Sequence, residues 1–562
     1  MKIVHLTDQL AIIKYEGLMA NFGLDNSFVK KLKKELDTNQ IRTDQSTDFF
    51  FLPQLDAIYR YQGDELKDLV CSKLSGSSFG PKLPIEMEVP KTARVPTKNS
   101  SLVGPNYFRP GSVLLPEDRV LYHFIGQEAA ECSEKSIDRK KVYSNVPASV
   151  KGSGFVAASL QWKKLRAEFK QFADSGKFKF VLKSDITQYF FSINQHELVN
   201  QLEHQGFPPE LVKMSEKFLT GLTLDRSSRG IPQGCYGSDV IGNGFLVAID
   251  EFIAENKLTF LRYVDDIYVF FTNSDEIRDF FPEFVKKLRD YDLSLNERKT
   301  FFTTPSKLLR EETELDEAIE KAKAEAKEKL TDYHEIEVDG EYDNESYIEI
   351  LEMEPDDKEV ALEATLEVFK SLDNFTGDER DRAEAFCLSF FRRAGDPVAI
   401  PYVIRRWSRS PDKARDYALY LNRFIGDVKH RVIIDKLFAS SSQEMIDYQW
   451  AWASVVMRRM SKMSDDFLKI ADEIRKDGAR HEVIRSLLTY SVCRHGTALR
   501  KKNVRDSYSA APLLVQLAIL HSSSFFTAAE RNALLKSAES HGDIHKLMCA
   551  AVKADIKENL KS

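Results

Sequence analysis

At 562 residues the chain has length for about three or four domains. With 43% hydrophobic and 30% charged residues it has the composition of a globular protein rather than a disordered or membrane-embedded one. The net charge of −7 hides a segregation: residues 1–306 are neutral, 307–380 carry −17 and 381–562 carry +10.

The first twenty residues lack the basic start, apolar core and cleavage site of a signal peptide. No apolar run approaches the ~20 residues that span a bilayer, so a cytoplasmic protein without a membrane partner is expected. Six cysteines are scattered without a CxxC pair or a nearby histidine cluster, which points to buried free thiols rather than zinc or disulfides.

Residues 1–95 read as a helical N-terminal segment. From Ser101 to Asn145 a Pro/Gly-punctuated loop is expected to settle into an amphipathic helix. Strand-like FKFVLKSDI (178–186) follows, then a helix around Glu197 to His204, a loop SSRGIPQG (227–234) and an apolar helix to about Ile253. FLRYVDDIYVFF (260–271) places two adjacent acids, Asp265 and Asp266, inside a run that should be buried. Two short strands joined by a tight turn, with the acids at its tip, make that tolerable. Ile277, Phe280, Phe281, Phe284, Val285 and Leu288 then recur at helical spacing, and Pro282 predicts a late start or a kink. Residues 306–360 form an acidic helix and linker, read either as solvated or as a phosphate mimic for a basic groove. From 361 to 562 the chain is helical throughout, in stretches that suggest paired antiparallel helices.

A third acid, Asp185, follows a β-rich segment 80 residues before Asp265, enough chain for a crossover back to an adjacent strand. Three carboxylates on neighbouring strands can hold two Mg²⁺ ions, one lowering the pKa of an attacking hydroxyl and the other stabilising a pyrophosphate leaving group.

Four strings in order carry a resemblance: DITQYF (185–190), RGIPQG (229–234) with Ser238 and Asn243 after it, YVDD (263–266), and LSLNERKT (293–300) with Asn296 and Lys299. Over about residues 100–305 the sequence resembles the reverse transcriptases. The resemblance implies an α+β, predominantly helical fold, with fingers and palm over 96–305 followed by an all-α, helical-repeat-like domain over 361–562. It implies Asp185 and Asp265 as ligands of two Mg²⁺ ions, with Mn²⁺ as a substitute, and Asp266 in support of the metals or the primer end. Phe190 matches the aromatic gate against a ribose 2′-OH, Gln233 and Gly234 line the nascent base pair, and Lys299 assists the departing pyrophosphate. In NYFRPGSVLLPEDRVLYHFI, Arg109 and Arg119 match basic residues over the triphosphate. For Arg119 an ion pair with Glu117 or Asp118 is the competing reading.

The palm with a helical C-terminal third resembles the bacterial defence-associated, abortive-infection reverse transcriptases. That implies anti-phage activity on dNTPs and single-stranded DNA or RNA, with or without a template, and homo-oligomers. Priming from a protein hydroxyl would call on Tyr59, Tyr61 or Tyr508. Alternative readings are a retron-like or group II intron-like enzyme with a dedicated noncoding RNA, and a sensor whose palm binds nucleic acid while the helices recognise a phage protein. In the basic third, IRRWSRSPDKAR interleaves Arg405, Arg406 and Arg409 with Trp407. That is the composition of a strand-binding surface or of a packed helix face with solvated arginines.

Overall fold

The computed structural model describes residues 26–46, 49–98, 104–148, 154–223, 227–310, 318, 355–375 and 377–559. The acidic segment singled out above lies almost entirely outside them. Two compact units share the chain, and both are discontinuous. Met1–Asp48, Ile58–Ile85 and Ser112–Leu309 make the first; Phe49–Ala57, Glu86–Gly111 and Arg310–Ser562 make the second. The boundary expected at residue 95 therefore falls inside a segment that belongs with the C-terminal helices.

The first unit is built on an antiparallel sheet of order β4-β5-β3-β6, with β3 Phe180–Ser184, β4 Thr259–Tyr263, β5 Asp266–Phe271 and β6 Phe301–Thr303. The central strand β5 is buried from Ile267 to Phe271, which is why its sequence is a continuous apolar run rather than an alternation. On one face Val181, Leu261, Tyr268 and Phe270 pack with Leu165 and Phe169 of the helix Ala158–Asp174. On the other, Phe271 meets Phe280, which stacks on Phe252 and Phe284. Each such ring contributes about 1.5–3 kcal/mol by leaving water.

Helix Ser274–Asp290 contains Pro282 in its interior, so the late start suggested by that proline does not occur. Its start is set instead by the Asn273 side chain, which accepts from the amides of Asp275 and Glu276. The apolar helix expected to reach Ile253 is two, Tyr236–Phe245 and Val247–Glu255. Helix Pro116–Ser133 is buried almost all round rather than amphipathic. It crosses helix Tyr236–Phe245 at Gly126 and Gly237, where an added Cβ would come within 2.7 Å of the other backbone.

Residues 101–113 are not simply loop. β2 (Asn106–Val113) pairs with β1 (Ile85–Arg94) in a two-stranded sheet. Most of this hairpin lies in the second unit, where Asp412 accepts from Asn106 Nδ2 at 3.1 Å and from Arg94 Nη2 at 3.2 Å. Gly111 leaves no room for a Cβ, which would stand 2.8–2.9 Å from Val89, Phe49 and Phe50.

The remainder of the second unit is helical. Helices 355–370, 377–394, 414–422, 447–459, 482–495, 513–521 and 543–559 each pack on the next of this series. Helices 400–406, 428–441, 465–476, 498–506 and 528–538 alternate with them along the chain. This is the all-helical region that the last third of the sequence suggested.

Candidate active site

Strands β4 and β5 pair as far as Tyr263 opposite Asp266, leaving Val264 and Asp265 as a two-residue turn. The two acids therefore stand at the end of a buried sheet, not inside it. On the neighbouring strand Ser184 lies opposite Ile267, so the next residue, Asp185, arrives at the same end. Asp265 is partly buried, and its carboxyl is pushed up to about 7 by desolvation, by the charge of Asp266 and by that of Asp185. Lys299 acts in the opposite sense, with its Nζ 3.2 Å from Asp185 Oδ1. Asn296 donates from Nδ2 to the other oxygen of Asp185 at 2.9 Å and from its backbone amide to the Asp185 carbonyl at 2.8 Å.

Three carboxylates meet one ammonium here, and hard oxygen donors in excess negative charge suit Mg²⁺. Among the described residues, the one carboxylate trio with oxygens mutually within 4.8 Å is Glu35, Glu128 and Glu131. There Lys31 already bridges, its Nζ 2.6 Å from Glu128 and 3.8 Å from Glu131. The three aspartates are spread more widely than one ion's shell.

The turn is braced from beneath. Val264 has φ +54°, a left-handed conformation that hairpins of this length usually give to glycine or asparagine. Arg262, fully buried, donates from Nη1 to the Val264 carbonyl at 3.0 Å. Its fork grips Asp250 at 2.8 and 2.6 Å, and Nη1 also reaches Asn243 Oδ1 at 2.8 Å.

Beside the cluster, Gly230 at φ +87° and Gly234 at φ +94° shape the RGIPQG loop. The loop is tied down by amides, Gly230 to the Ile193 carbonyl at 2.8 Å and Ile231 to the Phe190 carbonyl at 3.0 Å. Ser238 closes it by donating to the Pro232 carbonyl and pairing with the Tyr122 hydroxyl at 2.7 Å. Phe190, half-buried, and Gln233 are thus carried on adjoining, mutually hydrogen-bonded segments. Asp185, Asp265, Asp266, Lys299, Phe190, Gln233 and Gly234 all belong to the first unit.

Other expected site residues fall elsewhere. Arg119 is buried, with its Nη2 bonded to Asp44 at 2.7 Å, so its guanidinium is committed to the core rather than presented to a triphosphate. Burial alone would raise the Asp44 pKa, but Arg119 and His123 outweigh it and lower it. Arg109, in the second unit, lies over the Phe49 ring at 4.6 Å. Trp407 is fully buried against Phe438 and Tyr417, so its faces are closed to a base. Arg406 is turned inward to Tyr417 and Ser410 at 3.3 and 3.1 Å, while Arg405 and Arg409 are exposed. Tyr59 and Tyr508 are buried, at 1% and 5% exposure, against the accessible segments expected for priming; Tyr61 is half-buried.

The residue that sequence reasoning missed is Arg262. Its signal was available: a lone cation in an apolar strand must be paired in the core, and Asp250 lies twelve positions upstream.

Residues 97–335 match the family model described as reverse transcriptase (RNA-dependent DNA polymerase). No curated protein matches the chain. Among solved structures, it is similar to telomerase from Candida albicans in complex with a TWJ fragment of telomeric RNA. The identity is 12% and the TM-score 0.27, over 76% of this chain and 70% of that one. Apo telomerase from Candida tropicalis gives 10% and 0.28, over 87% and 74%. Superpositions that loose carry no argument about function. The family match, spanning the strands and loop just described, identifies residues 97–335 as a reverse transcriptase domain, which indicates a nucleotidyltransferase activity.

Proposed function

We propose that Asp185, Asp265 and Asp266 form a two-ion centre that adds deoxynucleotides to a 3′ end. One observation carries this reading: a carboxyl whose pKa is pushed up to about 7 by burial and by two carboxylate neighbours, at the end of a sheet, with a lysine beside the cluster. Bound there, the ions would lower the pKa of the attacking hydroxyl and neutralise charge on the leaving pyrophosphate.

The chain's own residues do the rest. Asn296 fixes both the backbone and the side chain of Asp185. Lys299, half-exposed beside that carboxylate, supplies positive charge at the pyrophosphate. Phe190 crowds the sugar 2′ position, and Gln233 with Gly234 borders the new base pair. Incubating the protein with Mg²⁺ and each dNTP, with and without added template and primer, tests this directly. Incorporation that disappears in Asp265→Asn is the expected result; none under any condition overturns it.

The biological setting we propose is anti-phage defence. The support is the resemblance of a palm followed by an all-helical C-terminal region to the abortive-infection enzymes. Cells carrying the protein should survive phage challenge and lose that protection with Asp265→Ala and Asp266→Ala together. Protection that persists without synthesis would favour a sensor instead.

A further inference from the structure

The turn that presents Asp265 contains no glycine. Val264 is β-branched and holds φ +54°, a conformation unfavourable for a residue of this kind and kept only where surroundings enforce it. The side chain that reaches its carbonyl is Arg262, two residues earlier and fully buried. We infer that Arg262 is the positioning residue of the catalytic turn, holding Val264 left-handed so that the Asp265 carboxyl is set beside Asp185.

The fork is immobilised before it reaches the turn. Nε and Nη2 bond the two oxygens of Asp250 at 2.8 and 2.6 Å, and Nη1 bonds Asn243 Oδ1 at 2.8 Å. The Arg262 backbone is stitched in as well, its amide donating to the Lys141 carbonyl at 2.8 Å and its carbonyl accepting from Tyr143 at 3.0 Å. Asp250 alone satisfies the buried charge. The bonds to Asn243 and Val264 therefore go beyond what pairing the charge requires. A lysine, with a point-like ammonium, cannot keep Asp250, Asn243 and Val264 together. Asn243 also sits next to Gly242, where the missing Cβ leaves the Phe190 ring its space at 3.1 Å. One guanidinium thus ties the turn to the helix that backs Phe190.

The inference rests on the reading of Asp265 as catalytic, and the two can fail separately. Arg262→Lys should remain folded, lose about 100-fold in kcat and bind Mn²⁺ about 10–100-fold more weakly by electron paramagnetic resonance, with a smaller change in KM for dNTP. Adding Val264→Gly to Arg262→Lys should restore at least about 10-fold of both, because glycine takes a positive φ without help. Full activity in Arg262→Lys, or a double variant as impaired as the single one, overturns the inference. Should Arg262→Lys not fold, the isosteric Asp250→Asn loosens the same fork, and the same glycine rescue is read. Undiminished synthesis in Asp265→Asn would instead overturn the catalytic reading itself.

Discussion

In the helical unit Glu384, 1% exposed, accepts from the Tyr417 hydroxyl at 2.5 Å with Arg406 3.8 Å away, and Arg475 closes on Asp472 at 2.8 Å. At the sheet end of the other unit, three carboxylates face one lysine, and Asp265 is pushed up to about 7. Both regions bury charged side chains. They differ in who neighbours whom. Where each carboxylate meets a cation or a hydroxyl, the set is matched and packs with polar specificity. Where carboxylates neighbour one another, their repulsion adds to burial in raising the Asp265 pKa, as the cation site proposed above would have it.

The largest expected effect follows at Asp265. Asp265→Asn should reduce dNTP incorporation at least about 1,000-fold, near 4 kcal/mol in the barrier, while the melting temperature stays level or rises as like-charge repulsion is relieved. A fall in melting temperature with activity retained would put Asp265 on the matched side of the comparison. Next comes Trp407→Ala, which should cost about 3–5 kcal/mol in denaturant unfolding and leave single-strand affinity unchanged once folded. By contrast Arg405→Ala and Arg409→Ala, both at exposed positions, should each lower the salt slope of single-strand binding by about 0.7. A Trp407 variant that folds normally and binds DNA poorly would reverse that assignment.

Arg119→Met should destabilise by about 3 kcal/mol because it strands the Asp44 carboxylate, with the KM for dNTP unaffected. A raised KM at unchanged stability would restore Arg119 to the triphosphate. The smallest effect is a pH slope. Because Asp265 holds its proton longer in the fold than at the ordinary 3.8, stability of the metal-free protein should fall as pH rises from about 4 to 7, by at most about 1.4 kcal/mol per unit. Asp265→Asn should remove that slope. Asp44 works the other way: its lowered pKa adds stability above the normal carboxylate range that is lost on acidification.

The elements that carry the candidate site were legible because each pairs an apolar run with an out-of-place acid or glycine. Asp185 after FVLKS, the YVDD turn and the RGIPQG loop are of this kind. β1 and β2 were not legible, since Ile85–Arg94 fell in a stretch read as helical, Pro110 and Gly111 read as loop, and the hairpin is held by tertiary partners such as Asp412. A pairing across the fold such as Arg119 with Asp44, 75 positions apart, leaves no local pattern that names the partner. The interleaved Trp and Arg residues misled for a related reason: on a helix, composition alone does not say which face turns inward.

The β1–β2 hairpin also bears on how this polypeptide can be cut and recombined. Glu86–Gly111 is lodged among the C-terminal helices through Asp412, Phe49 and Phe50. Trimming the chain near residue 310 would strip that ribbon of its seat, and grafting residues 310–562 onto a foreign host would leave the helices an empty socket. The helical third is not an interchangeable cassette, and any functional swap must carry the early segments with it.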